Sequence, residues 1–145
     1  LTPKKSEHGQ SLVELAVVIV IMLILLAGIV DLGRMIFEYM SMRDAAQEGA
    51  AYASMFPGHC DQVADRVYSN LFNTDRADIQ VTVTIDGVDC YAATTANACA
   101  PNSAQVTVTQ PNYPLTMPFI GTFLGRQSVA LEAEITDTIL RPSCP

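Results

Sequence analysis

The chain divides by the period of its apolar positions. Leu15 to Val30 is an unbroken run of sixteen residues without charge or proline. As a helix that run rises about 24 Å, short of a hydrocarbon core of roughly 30 Å. Starting at Leu12 makes nineteen residues, enough to span, and takes in Glu14. No proline occurs from Gln10 to Phe56, so the pattern predicts one helix of about 47 residues, roughly 70 Å long, ended by Pro57-Gly58. Beyond Val30, the residues Leu32, Met35, Tyr39, Met42, Ala46, Gly49 and Ala53 alternate spacings of three and four, which keeps one seam apolar. The small residues from Met42 to Ala53 are expected to pack on the chain's own domain. Leu32 to Tyr39 is expected to meet another chain. Asp31 with Arg34, and Arg34 with Glu38, have the spacing of helical ion pairs.

After Pro57 the period shortens. Asp61 to Phe72, with Val63, Val67 and Leu71 four apart, reads as a short amphipathic helix capped by Asp61. Then period two takes over. Ile79, Val81, Val83 and Ile85 alternate with Gln80, Thr82 and Thr84, and Asp86-Gly87 supplies a turn. Gln105 to Gln110 repeats the alternation through Val106 and Val108. Val129 to Ile139 sets Val129, Leu131, Ala133 and Ile135 opposite Ala130, Glu132, Glu134 and Thr136. Three or four antiparallel strands with one wet face are predicted, covered by the second half of the long helix. Ala92 to Ala104 reads as a surface loop. Pro111 to Gly125 is unusually apolar for a connection and is expected to pack on the domain, with a contact to a neighbouring molecule as the alternative. The fold class is therefore α+β: a long N-terminal helix on a small antiparallel sheet. The organisation is a basic leader-like segment over 1–9, a helix over 10–56 that is hydrophobic over 12–30 and amphipathic over 31–56, and an exported domain over 57–145.

Composition locates the apolar excess and excludes some functions. Half of the 145 residues are hydrophobic and only 16% are charged, against about 25% charged in ordinary soluble domains. The surplus is the N-terminal run. A net charge of −7 with a pI near 4.5 argues against nucleic acid as a partner, because that interface needs a basic face. Lys4 and Lys5 precede the run, which puts the N-terminus in the cytoplasm and the acidic remainder outside. All four cysteines, Cys60, Cys90, Cys99 and Cys144, lie on that exported, oxidising side, so disulfides are expected. Of the three possible pairings, Cys90 with Cys99 and Cys60 with Cys144 is the expected one, because the first pair brackets a short loop. No C-x-x-C spacing supports zinc.

Catalytic chemistry finds little support. His59 beside Cys60 pairs a base with a nucleophile only if Cys60 is not in a disulfide. Asp75 with Asp78, and Asp86 with Asp89, read as solvated turns rather than a calcium site. The phosphate-binding, zinc-protease and nucleophile-elbow motifs are missing. No enzymatic activity, cofactor or metal is expected.

The informative element is Gly9-Gln10-Ser11-Leu12-Val13-Glu14: a glycine five residues before a carboxylate, behind a basic leader and ahead of an uncharged helix. It resembles the class III signal of type IV prepilins. Together with Gly28-Ile29-Val30-Asp31-Leu32-Gly33-Arg34 and Arg43-Asp44-Ala45-Ala46-Gln47-Glu48-Gly49-Ala50-Ala51-Tyr52-Ala53, it is similar to the TadE-like pilins and pseudopilins of tight-adherence (Tad/Flp) systems over about residues 9 to 53. The resemblance implies cleavage by a prepilin peptidase between Gly9 and Gln10. It also implies residence in the inner membrane, then extraction by the Tad or type IV assembly machinery into an extracellular helical homo-oligomer. Glu14 would then meet a neighbour's N-terminal amine. On a chain that keeps the residues before Gln10, Lys4 or Lys5 would take the amine's place.

Physical chemistry supports an assembly role for that carboxylate, since a buried charge is costly alone and a register mark when paired. The expected assembly contacts are Glu14, Leu15, Leu32, Met35 and Tyr39. The function expected is a structural subunit of an adhesive pilus. The alternatives are a minor pseudopilin that primes or caps such a filament, and a single-pass membrane-anchored binding domain that does not polymerise. The surface the filament would bind is not legible in the residues.

Overall fold

The computed structural model describes residues 8–72, 75–116, 121, 125–141 and 143–144. Helix α1 runs unbroken over His8–Met55, 48 residues, or about 72 Å. It ends where expected. Phe56 closes the last turn through its N–H to the Tyr52 carbonyl at 2.9 Å, and the buried Pro57 and following Gly58 form a turn that cannot continue the helix. The Phe56 ring lies tilted against Tyr52 and stacked on His59, with centroids 5.0 and 5.7 Å apart.

Helix α2 spans Cys60–Asn70 and buries Val63 and Val67 completely. Its N-cap is His59, which makes no side-chain capping bond. The expectation of an Asp61 cap is thus corrected: Asp61 lies inside the first turn, where its carboxylate still suits the positive end of the helix. Asp75 does cap. Its Oδ1 accepts from the Ala77 N–H at 3.2 Å at the head of a single 3₁₀ turn, Arg76–Asp78.

The sheet is antiparallel throughout. Strands β1 (Gln80–Ile85), β2 (Val88–Asp89), β3 (Ser103–Pro114) and β4 (Ser128–Thr138) lie in the order β2-β1-β3-β4. Between β1 and β2, Asp86 and Gly87 both have positive φ, 53° and 75°, the geometry of a two-residue hairpin whose twist matches its strands. The alternation holds residue by residue. Ala104, Val106, Val108 and Gln110 of β3 are buried while the residues between them are half-exposed. Strand β3 continues four residues past the expected Gln110, through an irregularity between Gln110 and Tyr113 opposite β4. Pro111 therefore sits where the ladder is interrupted, which a residue without an N–H requires.

The core lies between this sheet and two helices. Met42, Ala45, Ala46, Ala50 and Ala53 of α1 meet Val63 and Val67 of α2, together with Val83, Ile85, Val106, Val108, Ala133 and Ile139. The small-residue face of α1 thus packs on its own chain, as its spacing predicts. Gly49 allows the closest approach, because a Cβ there would lie 2.5 Å from Val67 Cγ2. The chain beyond β4 is tied to the end of α1 by the Leu140 N–H, 2.8 Å from the Ser54 carbonyl.

All four cysteines form disulfides, but the expected pairing is corrected. The bonds are Cys60–Cys90 and Cys99–Cys144, with Cα separations of 5.9 and 4.8 Å. The short loop between Cys90 and Cys99 is spent on turns. The β1–β2 hairpin instead delivers Cys90 to the start of α2, where its N–H also bonds the Val83 carbonyl. The pairing of Ser103 with Thr138 and the bridge of Ala100 with Ser143 bring the chain end alongside Cys99.

Candidate assembly and membrane interface

Along the first half of α1 the large apolar side chains are exposed on every side, from 41% at Ile24 to 68% at Leu12. Fifteen such residues lie between Leu12 and Val30. Fully burying one is worth roughly 1.5–3 kcal/mol, so covering them all is worth tens of kcal/mol, more than the roughly 5–15 kcal/mol that holds a whole domain. Among the described residues this is the one helix long and apolar enough to cross a membrane, and its most apolar window is 0% buried. A helix that is apolar all round and uncovered requires lipid or protein around it.

Glu14 is the single charged residue between Gln10 and Val30, and it is exposed. It stands four residues after Gln10, on the same face of the first turns of α1. Gly9 also falls within α1, whereas Lys4 and Lys5 lie outside the described residues. Leu15 is 56% exposed, Leu32 52% and Tyr39 42%, with Met35 half-buried between them. The seam therefore divides where its residues shrink. Leu32 and Tyr39 stay uncovered and Met35 half so, whereas Met42 and the small residues after it fill the core.

Just past the apolar run the polarity inverts. Asp31 is buried while its apolar neighbours Val30 and Leu32 are exposed. Arg34 donates through Nη1 to Thr116 Oγ1 at 3.2 Å. Phe37 meets Phe72 edge to face at 5.7 Å, and the Phe72 N–H bonds Ser41 Oγ at 3.1 Å. Val30, Gly33, Arg34, Phe37, Glu38, Phe72 and Tyr113 line an open groove of about 480 Å³. Burial raises the Tyr113 phenol above its ordinary value; Glu38 and Asp31 push the same way and Arg34 opposes them. Of the apolar segment Pro111 to Gly125, Tyr113 at the end of β3 lines the groove against α1 and Thr116 just after it accepts the Arg34 bond, so these residues reach the chain's own helix, as expected. Met117 to Ile120 and Thr122 to Leu124 lie outside the described residues. Phe72 and Tyr113 were not legible as partners of α1, and the one signal was the apolar character of the connection.

The pairing of His59 with Cys60 considered above does not form a catalytic pair. Cys60 is in a disulfide, so His59 faces no thiol. Asp89 Oδ1 accepts from the Tyr91 N–H at 3.0 Å as a turn residue, and Tyr91 donates its hydroxyl to Asp61 Oδ1 at 2.6 Å. Among the described residues no group of histidine, cysteine or carboxylate side chains could hold a metal ion.

The model of the family described as TadE-like protein matches residues 9–51, the stretch that carries the resemblance and slightly under a third of the chain. It covers the apolar run, Glu14 and most of the core-facing half of α1. No curated protein and no solved structure matches the chain.

Proposed function

We propose, proceeding from the TadE-like match over residues 9–51, that this chain is a pilin-like structural subunit of a Tad-type pilus. It waits in the inner membrane with its N-terminus cytoplasmic and its sheet-bearing part exported, and it polymerises through α1 into an extracellular filament used for attachment. The observation that carries this reading is the uncovered apolar half of α1 interrupted only by Glu14. A membrane anchor alone has no use for a carboxylate at that depth, where a charge is expensive. A helical stack does, because the charge can meet an amine on the adjacent copy and mark the register.

On this reading the working organisation is a leader over 1–9, a packing helix over 10–56 and an exported domain over 57–145. Prepilin peptidase cuts between Gly9 and Gln10, and the new amine pairs with Glu14 of a neighbour. Leu15, Leu32, Met35 and Tyr39 form the side-to-side contacts. Four bases against nine acids from Pro57 onward keep the outer surface hydrated.

The decisive experiment substitutes Glu14→Ala in the native host and recovers filaments by shearing. Surface filaments should be lost while the chain accumulates in the membrane with both disulfides oxidised. Normal filament yield from that variant would refute the proposal. Scarcity of the wild-type chain in sheared filaments would assign it to a minor, priming or capping position.

A further inference from the structure

The groove at the junction of α1 and the sheet-bearing part lies at a defined depth if α1 spans a bilayer, and the inference rests on that part of the proposed function. Leu12 to Val30 rises about 28 Å, close to the hydrocarbon thickness of roughly 30 Å. Arg34 then stands about 6 Å beyond the end of the run and Glu38 about 12 Å beyond it. Helical side chains lean toward the N-terminus of their helix, so both reach back toward the lipid. The two sit one turn apart on the same face and line the same groove, with Phe37, Phe72 and Tyr113 beside them. Aromatic side chains at this level are what membrane–water boundaries select. Arg34 carries five N–H donors, of which Thr116 accepts one.

We propose that this groove seats the headgroup of an outer-leaflet phospholipid bearing a phosphate and a primary ammonium, as in phosphatidylethanolamine. The Arg34 guanidinium takes the phosphate, the Glu38 carboxylate faces the ammonium, and the aromatic rings flank the glycerol end. Charge complementarity selects this occupant. The two charged residues that line the groove, Arg34 and Glu38, sum to zero, and one cation beside one carboxylate mirrors a zwitterion. The bound lipid would fix how the sheet sits on the membrane before the subunit leaves it.

The test reconstitutes the full chain in vesicles of phosphatidylethanolamine and phosphatidylglycerol. The sequence has no tryptophan, so Phe72→Trp introduces a single reporter at the groove. Lipids spin-labelled on the headgroup should quench it strongly and lipids labelled deep in the acyl chain weakly. Tyr91→Trp, beyond the far end of α1, should be quenched by neither. Mass spectrometry of the detergent-extracted chain should then find one ethanolamine lipid retained. Retention should fall about tenfold in Arg34→Gln, the size of one charge-assisted hydrogen bond, and recover in part in Arg34→Lys.

Failure of the chain to partition into vesicles would overturn the membrane reading and this proposal with it. Partitioning with an unquenched groove reporter, or with equal lipid retention in Arg34→Gln, would overturn the lipid site alone. Equal retention from vesicles in which phosphatidylcholine replaces the ethanolamine lipid would overturn the role assigned to Glu38.

Discussion

Two glycines on one helix give a test in which local propensity cancels and packing alone decides the sign. At Gly33 nothing lies within 4 Å of the place a Cβ would take, whereas at Gly49 that place is 2.5 Å from Val67 Cγ2, 3.5 Å from Val106 Cγ1 and 3.7 Å from Val63 Cγ1. Replacing either glycine with alanine gains about 0.8–1.0 kcal/mol of helix propensity. At Gly33 that gain should stand unopposed. At Gly49 the obstructing methyl belongs to Val67, which is 0% exposed and β-branched, so it has no free rotamer to retreat into. Overpacking there costs about 1–3 kcal/mol.

The expected result is a Gly33→Ala chain stabilised by about 0.8–1.0 kcal/mol and a Gly49→Ala chain changed by anything from near zero to about 2 kcal/mol of destabilisation. The gap between them should be about 1–3 kcal/mol. Urea unfolding of the full chain in detergent micelles, followed by tyrosine fluorescence, measures both. Adding Val67→Ala to Gly49→Ala should recover stability relative to the sum of the single changes, by about 0.5–3 kcal/mol of coupling. The reasoning fails if the two alanine variants shift together to within about 0.5 kcal/mol, the usual scatter of independent sites.

Other consequences are open to simpler measurement. Trypsin under non-reducing conditions should leave the peptides 44–66, 77–126 and 127–145 joined in one disulfide-linked species, because Cys90 and Cys99 share the middle peptide but bond to different partners. Release of peptide 77–126 on its own would overturn the observed pairing. Converting Cys99 and Cys144 together to serine should destabilise the chain by about 3–4 kcal/mol, given a 45-residue separation, as read by the same urea titration. The Tyr91 phenol is held above its ordinary value of 10.0, first by its hydrogen bond to Asp61. The fold therefore favours the neutral form. That contribution is whole below the ordinary phenol value and disappears as pH rises through the higher native one. Asp61→Ala should bring one phenolate absorbance step down in pH, and an unchanged titration curve would contradict the contact.

How much of this was readable beforehand depended on the range of the interaction. The α1 boundary followed from one proline, and the strand faces followed from alternation at Val81, Val83, Ile85, Val106, Val108, Leu131, Ala133 and Ile135. The division of the seam at Met42 was legible too, because side chains that shrink to alanine and glycine permit a close approach that leucine and tyrosine do not. The groove was not legible. It brings together Arg34 and Thr116, 82 residues apart, with Phe72 and Tyr113, and no local period relates these positions.

What the sequence determined by itself was the part governed by neighbours along the chain: an uninterrupted apolar helix, a lone carboxylate near its start, an antiparallel sheet with cysteines around it, and the match of residues 9–51 to the TadE-like family. Tertiary structure alone decided which cysteines meet. Loop length favoured joining Cys90 to Cys99, but closing a longer loop adds little entropy, about 0.6 kcal/mol per doubling. Register of β1, β3 and β4 outweighs so small a preference, and it carries Cys90 to α2 and Cys144 to Cys99.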